Sequence, residues 1–230
     1  MVGNYNINQW FECSELGRYV SRREKDFLYS CAQNHKLGTA VQFGMPAFGV
    51  LPECCMIKVP EAVEMLAESM AFADCTLDLL LLPHVLECSN APDRVLAEAW
   101  RCLAAEGRLL LTGFNPHSLW RFGRLLDGKT LPDSSDCLAL PRLKQMALAV
   151  GFSIEEGRFM AYVPPVRSRQ ALDRWRFIEA AGDRWWPHAA AVYGLVLVKR
   201  QAGMTVLPEF EQQMAAGEVQ VALYPAKVEA

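Results

Sequence analysis

Between Ser14 and Asn34, apolar residues recur at Leu16, Tyr19, Val20, Phe27, Leu28 and Cys31 with charged residues between them. That spacing predicts an amphipathic helix lying on a core. Gly38 breaks the pattern, and Thr39–Phe43 (TAVQF) is short, apolar and β-prone before Gly44-Met45-Pro46 turns the chain. It reads as a strand, and Cys55–Val59 (CMIKV) as a second. Leu77–Leu82 (LDLLLL) is an apolar run without alternation, stopped by Pro83, as expected of a central parallel strand covered on both faces. The helix expected next has Ser89 or Asn90 as its cap, Pro92 in its first turn, a stripe of Val95, Leu96, Ala99, Cys102 and Leu103, and Gly107 at its end. Arg108–Thr112 (RLLLT) is then another buried strand. This strand, helix and strand form a βαβ unit, which commits the fold to α/β.

The later segments fit the same class. Pro141–Val150 followed by Gly151 predicts a helix, Ser153–Val163 is strand-like, and Ala190–Lys199 (AAVYGLVLVK) is a late apolar strand. Arg167–Gly182, rich in arginine and tryptophan, reads as a helical insertion extending over about residues 167–187. Residues 201–230 mix Pro, Gly, Ala and Glu without a period, so weak order is expected there. The domain organisation expected is one α/β domain over residues 1–200 and a tail.

Composition narrows the function classes. A chain of 230 residues that is 52% hydrophobic can bury a substantial core without staples. Its formal net charge of −3 gives no basic excess to neutralise many phosphates or an anionic leaflet, so nucleic acid and membrane surfaces are not expected partners. Met1–Cys13 lacks the basic head and apolar stretch of a secretory signal, and Ala189–Val198 is too short to span a bilayer, so a cytoplasmic location is expected. The 8 cysteines include no C-x-x-C pair, which argues for buried free thiols and against a metal site.

In a parallel sheet, ligands bind beyond the carboxyl ends of the strands, here Gly44–Gly49, Val59–Glu64, Pro83–Glu87 and Gly113–Trp120. His84, at the exit of the strongest strand, can serve as a general base or cap that strand; Glu87, three residues on, can orient it or lie in solvent. Asn115, His117 and Trp120 can line a substrate pocket, although Asn115-Pro116 is equally a turn. Trp120, Trp175, Trp185 and Trp186 suit either an aromatic lid or core packing. Arg121, Arg124, Arg167, Arg169, Arg174 and Arg176 suit either an anionic substrate or a solvated face.

Phe72–Glu87 (FADCTLDLLLLPHVLE), the helix after it and Leu103–Thr112 (LAAEGRLLLT) resemble the second half of the cofactor fold in class I S-adenosylmethionine-dependent methyltransferases of the type 11 group. The continuation GFNPHSLW is similar to a small bacterial methyltransferase-like subfamily. The resemblance implies a Rossmann-like, mostly parallel seven-stranded sheet with helices on both faces and S-adenosylmethionine as cofactor. It places Ser69 and Met70 beside the adenine, Gln42, Gly44 and Met45 toward the methionine part, and Pro83 and His84 near the substrate entrance. The glycine loop departs from the family pattern. Gln42 stands where an acid is expected, and Pro46 and Phe48 occupy two of the three glycine positions. Glu61 or Glu64 is left to bind ribose hydroxyls.

Two functions follow as expectations. The first is methyl transfer to a small acceptor, with His84 as the base if the acceptor has a proton to lose. The second is a catalytically degenerate methyltransferase fold acting as a binding or regulatory subunit with a protein partner. A nucleotide-dependent oxidoreductase ranks last, because no G-x-G-x-x-G follows the first strand.

Overall fold

The computed structural model describes residues 2–33, 38–45, 48–50, 56–59, 65–120, 137–166 and 168–200. Two helices lead, α1 (Val2–Cys13) and α2 (Glu15–Gln33), followed by strands β1 (Ala40–Phe43), β2 (Met56–Val59) and β3 (Leu77–Pro83). Then come α3 (Pro92–Cys102), β4 (Leu103–Phe114), α4 (Leu140–Val150) and β5 (Ser153–Met160). The helices α5 (Arg169–Trp175) and α6 (Phe177–Trp185), a short 3-10 turn and β6 (Val192–Val198) complete the described chain.

The strands form one sheet in the order β2-β1-β3-β4-β6-β5. The pairs from β2 to β4 are parallel, and β6 runs antiparallel between β4 and β5. Six strands, rather than the seven expected, are present among the described residues. Met65–Thr76 contains turns and an isolated Leu66–Ser69 bridge.

The unbroken leucine run of β3 is explained by the two layers that cover it. Leu79 and Leu81 join Leu110, Val192 and Val196 beneath Val20, Phe27 and Leu28 of α2. Leu80 and Leu82 point to the other face, with Leu109, Leu195 and Leu197 beneath Val95 and Leu96 of α3 and Leu143 and Ala147 of α4. Asp78 is the exception in the run. It lies at the start of the strand, where its carboxylate accepts a hydrogen bond from Thr39 N at 2.8 Å and holds the entry to β1.

The helix ends follow local chemistry. Ser14 separates α1 from α2, and its Oγ accepts from Gly17 N at 2.8 Å, a side-chain N-cap. Gly151, at φ 112°, ends α4 as expected. Two expectations for α3 are corrected. Its N-cap is Ala91, with Ser89 Oγ instead accepting from Ala91 N at 3.0 Å. The helix stops at Cys102 rather than Gly107, because Leu103 pairs with Leu77 and enters β4 directly. The ammonium of Lys199 caps this end, donating to Trp100 O and Leu103 O at 2.7 Å each. Gly107 sits in the irregularity that follows, where a Cβ would lie 2.8 Å from Ala104 O.

The arginine- and tryptophan-rich insertion is two helices, α5 and α6, the first capped by Ser168 Oγ accepting from Ala171 N at 3.2 Å. Pro46, Glu61, Glu64, Arg121, Arg124, Arg167 and the expected tail at 201–230 lie outside the described residues. Gly194 of β6 sets how closely α2 approaches the sheet: a Cβ there would lie 2.3 Å from the Phe27 ring. Gly194→Ala is therefore expected to cost about 1–3 kcal/mol through overpacking, read as a lower urea midpoint at unchanged m-value.

Candidate active site

In this sheet the chain leaves β1 toward β2 on one side and returns to β3 on the other. The change of direction opens a crevice beyond the carboxyl ends of β1 and β3, the position at which open parallel sheets bind ligands. Gln42, Gly44 and Met45 form one lip. Pro83, His84 and Val85 form the other. Gly44 adopts φ +67°, and a Cβ on it would lie 3.2 Å from Val85 Cγ2 and 3.5 Å from Pro83 O, so the lips approach over a residue without a side chain.

Gln42 is fully buried. Its Nε2 donates to Met45 O at 2.8 Å and Gly44 O at 3.1 Å, which fixes the amide orientation and binds the turn to itself. Its Oε1 is left as a buried acceptor with no hydrogen-bond partner among the described residues. Such an atom costs about 1–3 kcal/mol when unsatisfied. Met45 (φ 44°) and Phe48, at two positions of the turn, are buried in the core.

His84 leaves β3 in the left-handed region at φ 55°, a conformation that costs a non-glycine residue on the order of 1–3 kcal/mol. Its imidazole is 2% exposed and lies between two carboxylates. Nε2 bonds Glu24 Oε1 of α2 at 2.8 Å, and Nδ1 bonds Glu87 Oε1 at 3.2 Å. Glu87 Oε1 also accepts from Phe114 N at the end of β4, and Glu24 Oε2 from Thr112 Oγ1 at 3.5 Å. Burial opposes charge on His84, but the carboxylates of Glu24 and Glu87 overcome it and raise its pKa from 6.5 to about 10. Burial also raises the Glu24 carboxyl, against the pull of the imidazolium. Both ring nitrogens of His84 face carboxylates in this arrangement, which fits the strand-capping reading of this residue more closely than that of a general base.

Aromatic rings enclose this cluster. Phe11 of α1 and Phe114 lie 5.0 and 4.5 Å from the His84 ring, centroid to centroid. Phe11 meets Phe48 edge-on at 5.4 Å, and Trp10 meets Trp120 at 6.1 Å. Trp120 is thus brought to the site, with its Nε1 donating to Val163 O at 2.7 Å. Asn115 is tied to the backbone around it, with both N–H groups of its amide engaged. Its Nδ2 donates to His188 O and Ala190 O at 2.8 and 2.9 Å, and its Oδ1 accepts from His117 N at 3.0 Å. His117 is exposed. Ser69 and Met70 lie on a separate turn held to α3, where Met70 N donates to Glu98 Oε2 at 3.0 Å and Arg101 donates to Met70 O at 2.8 Å.

Residues 49–111 match the family described as a methyltransferase domain. In three dimensions, a chain from a complex between the Haloferax volcanii Trm112 methyltransferase activator and a protein assigned as a methyltransferase superposes with a TM-score of 0.59 at 11% identity, covering 87% of this chain and 99% of that one. The chain thus shares the fold of this solved structure. An S-adenosylmethionine-dependent methyltransferase from Archaeoglobus fulgidus shares the fold of this chain with a TM-score of 0.53 at 14% identity, covering 76% and 94% of the two chains. The Escherichia coli (strain K12) protein YafS is 31% identical over 127 residues, 54% of this chain and 47% of YafS, so this chain spans about half the length of that curated relative.

The fold places this charged cluster beyond the strand ends, and the sequence reading names His84 and Glu87 but not Glu24. The signal for Glu24 is its place four residues from Val20 inside the apolar stripe of α2, where an acid is buried only with a partner. Nothing local marked Trp10, Phe11 or Phe48 as neighbours of His84.

His84→Gln is expected to cost about 3–5 kcal/mol at neutral pH by leaving two buried carboxylates without their cation. Folded His84 keeps its proton to about pH 10, whereas the unfolded side chain loses it near 6.5. The stabilisation is therefore complete below about 6.5 and is lost as pH rises through about 10. Urea denaturation should accordingly show the gap between wild type and variant narrowing across that interval.

Proposed function

We propose that the protein is an S-adenosylmethionine-dependent methyltransferase acting on a small acceptor. The observation that carries this reading is the unpartnered, buried Gln42 Oε1 beside Gly44 at the switch in strand order. An ammonium donor such as that of the cofactor's methionine part would satisfy it, and a glycine in the left-handed region admits close approach of the backbone. Gln42, Gly44 and Met45 would hold the methionine part, Ser69 and Met70 the adenine, and Pro83 would border the site. When bound, the cofactor supplies an activated methyl group on a sulfonium.

The protein's own contribution is positional and electrostatic. The Glu24, His84 and Glu87 cluster sets two carboxylates against one imidazolium beneath aromatic faces, surroundings that favour a cation. His84 holds α2 to the strand ends and does not remove the acceptor's proton. The reading therefore favours an acceptor that presents a free lone pair, with in-line placement supplying most of the acceleration. Asn115 fixes the β4 exit, while Trp120 and the exposed His117 lie toward the acceptor side. A cytoplasmic setting suits such a reaction. Among the described residues, no helix is long and apolar enough to cross a membrane, and no group of side chains is arranged to hold a metal ion.

A second reading, a binding or regulatory subunit, draws on the buried side chains of Met45 and Phe48 in the turn where the family has glycines. The Haloferax volcanii complex offers a precedent for association of this fold with an activator protein. Calorimetric titration of ligand-stripped protein with S-adenosylmethionine and S-adenosylhomocysteine separates the two. Micromolar binding, weakened about tenfold by Gln42→Leu through loss of the acceptor, supports the enzyme. Absence of binding at millimolar ligand overturns it in favour of a partner protein.

A further inference from the structure

Away from the strand ends, α2 and α5 enclose a cavity of about 280 Å³. Arg18, Arg22 and Arg23 face it from α2, Arg169 from α5, and Arg176 from the position just after α5. Three carboxylates share the lining: Glu15, Asp26 and Asp173. Glu15 pairs with Arg18 at 2.6 Å, Asp173 with Arg176 at 3.9 Å, and Asp26 lies in the field of Arg23. Arg23 is further held by the Tyr19 ring, its guanidinium 5.6 Å from the centroid. Arg22 and Arg169 are left over, with no hydrogen bond or ion pair to any described residue. Two guanidiniums in excess thus converge on one cavity from two different helices. The half-buried ring of Tyr19 and the buried Leu172 add apolar surface.

Like charges collected in a concave site repel one another, and the field they create is relieved by an anion between them. Guanidinium forks match phosphate oxygens two at a time. Glu179 also bears on Tyr19 and Arg23, so the cations left for an anion are those of Arg22 and Arg169, which match the charge of a phosphate monoester at neutral pH, about −1.5 to −2. A volume of 280 Å³ lies at the small end of ligand pockets, enough for a phosphate with a compact organic group resting on Tyr19 and Leu172. We infer that this cavity is a binding site for a small soluble phosphate monoester, held by Arg22 and Arg169. The site is separate from the methyltransferase crevice and does not depend on the reading given above for that crevice.

Isothermal titration with phenyl phosphate and with inorganic phosphate at low ionic strength tests the proposal on the full chain. Phenyl phosphate is expected to bind more tightly than inorganic phosphate, and both less tightly as salt is added. Arg22→Gln and Arg169→Gln should each weaken binding about tenfold, and Arg142→Gln, an exposed arginine on α4, should leave it unchanged. Asp173→Asn removes a competing carboxylate and should tighten binding, a gain that loss of folding cannot mimic. Equal affinity for wild type, Arg22→Gln and Arg169→Gln overturns the proposal, as does the absence of binding at tens of millimolar phosphate. Binding only to phosphatidylglycerol vesicles, with neither soluble phosphate retained, also overturns it, in favour of a lipid surface.

Discussion

Glu24, His84 and Glu87 join parts of the chain that lie far apart in sequence. One imidazole fastens α2, the exit of β3, the loop before α3 and, through Glu87, the backbone at the end of β4. A charged group this far from water is tolerated only when its partners are fully in place, so the position of each element constrains the others. The left-handed backbone at His84 belongs to the same constraint. Its cost is offset because the turn aims both ring nitrogens at carboxylates.

Around that cluster the structure is layered by ordinary hydrophobic burial. Alternating leucines of β3 and β4 supply two cores, one beneath α1 and α2 and the other beneath α3 and α4. The aromatic rings of Trp10, Phe11, Phe48, Phe114 and Trp120 continue the first core over the strand ends. They exclude water from the ion cluster, which strengthens its internal attraction and makes a missing partner more costly. The polar and apolar parts of the site are therefore one construction. Its electrostatics depend on the aromatic cover, and that cover depends on α2 being anchored through Glu24.

The two charged regions of the molecule differ in how their charges are satisfied. The buried cluster finds its partners within the fold. The α2–α5 cavity is built from arginines on exposed helix faces, where solvation leaves Arg22 and Arg169 open to an outside anion. Since α2 carries Glu24 on its buried side and Arg22 on its open side, both regions depend on the placement of one helix.

By itself, the sequence determined the α/β class, the described strands and most helices, because each is written in short-range periodicity and end signals. The leucine run of β3, Pro92 at the start of α3 and Gly151 after α4 are local statements about burial and backbone geometry. It also marked Gln42, Gly44, Pro83 and His84 as strand-end residues, since topology alone puts such positions at the crevice. Which groups His84 meets was decided only by tertiary structure. A histidine is base, cap or ion-pair partner according to which charges face its two nitrogens, and Glu24 comes from 60 residues away. The same holds for Asn115, whose amide N–H groups are taken by the chain entering β6, and for the end of α3, where strand pairing at Leu103 overrode a glycine signal. Propensity and pattern act over a few residues, whereas charge pairing and desolvation are decided by whatever the completed fold brings within a few ångströms.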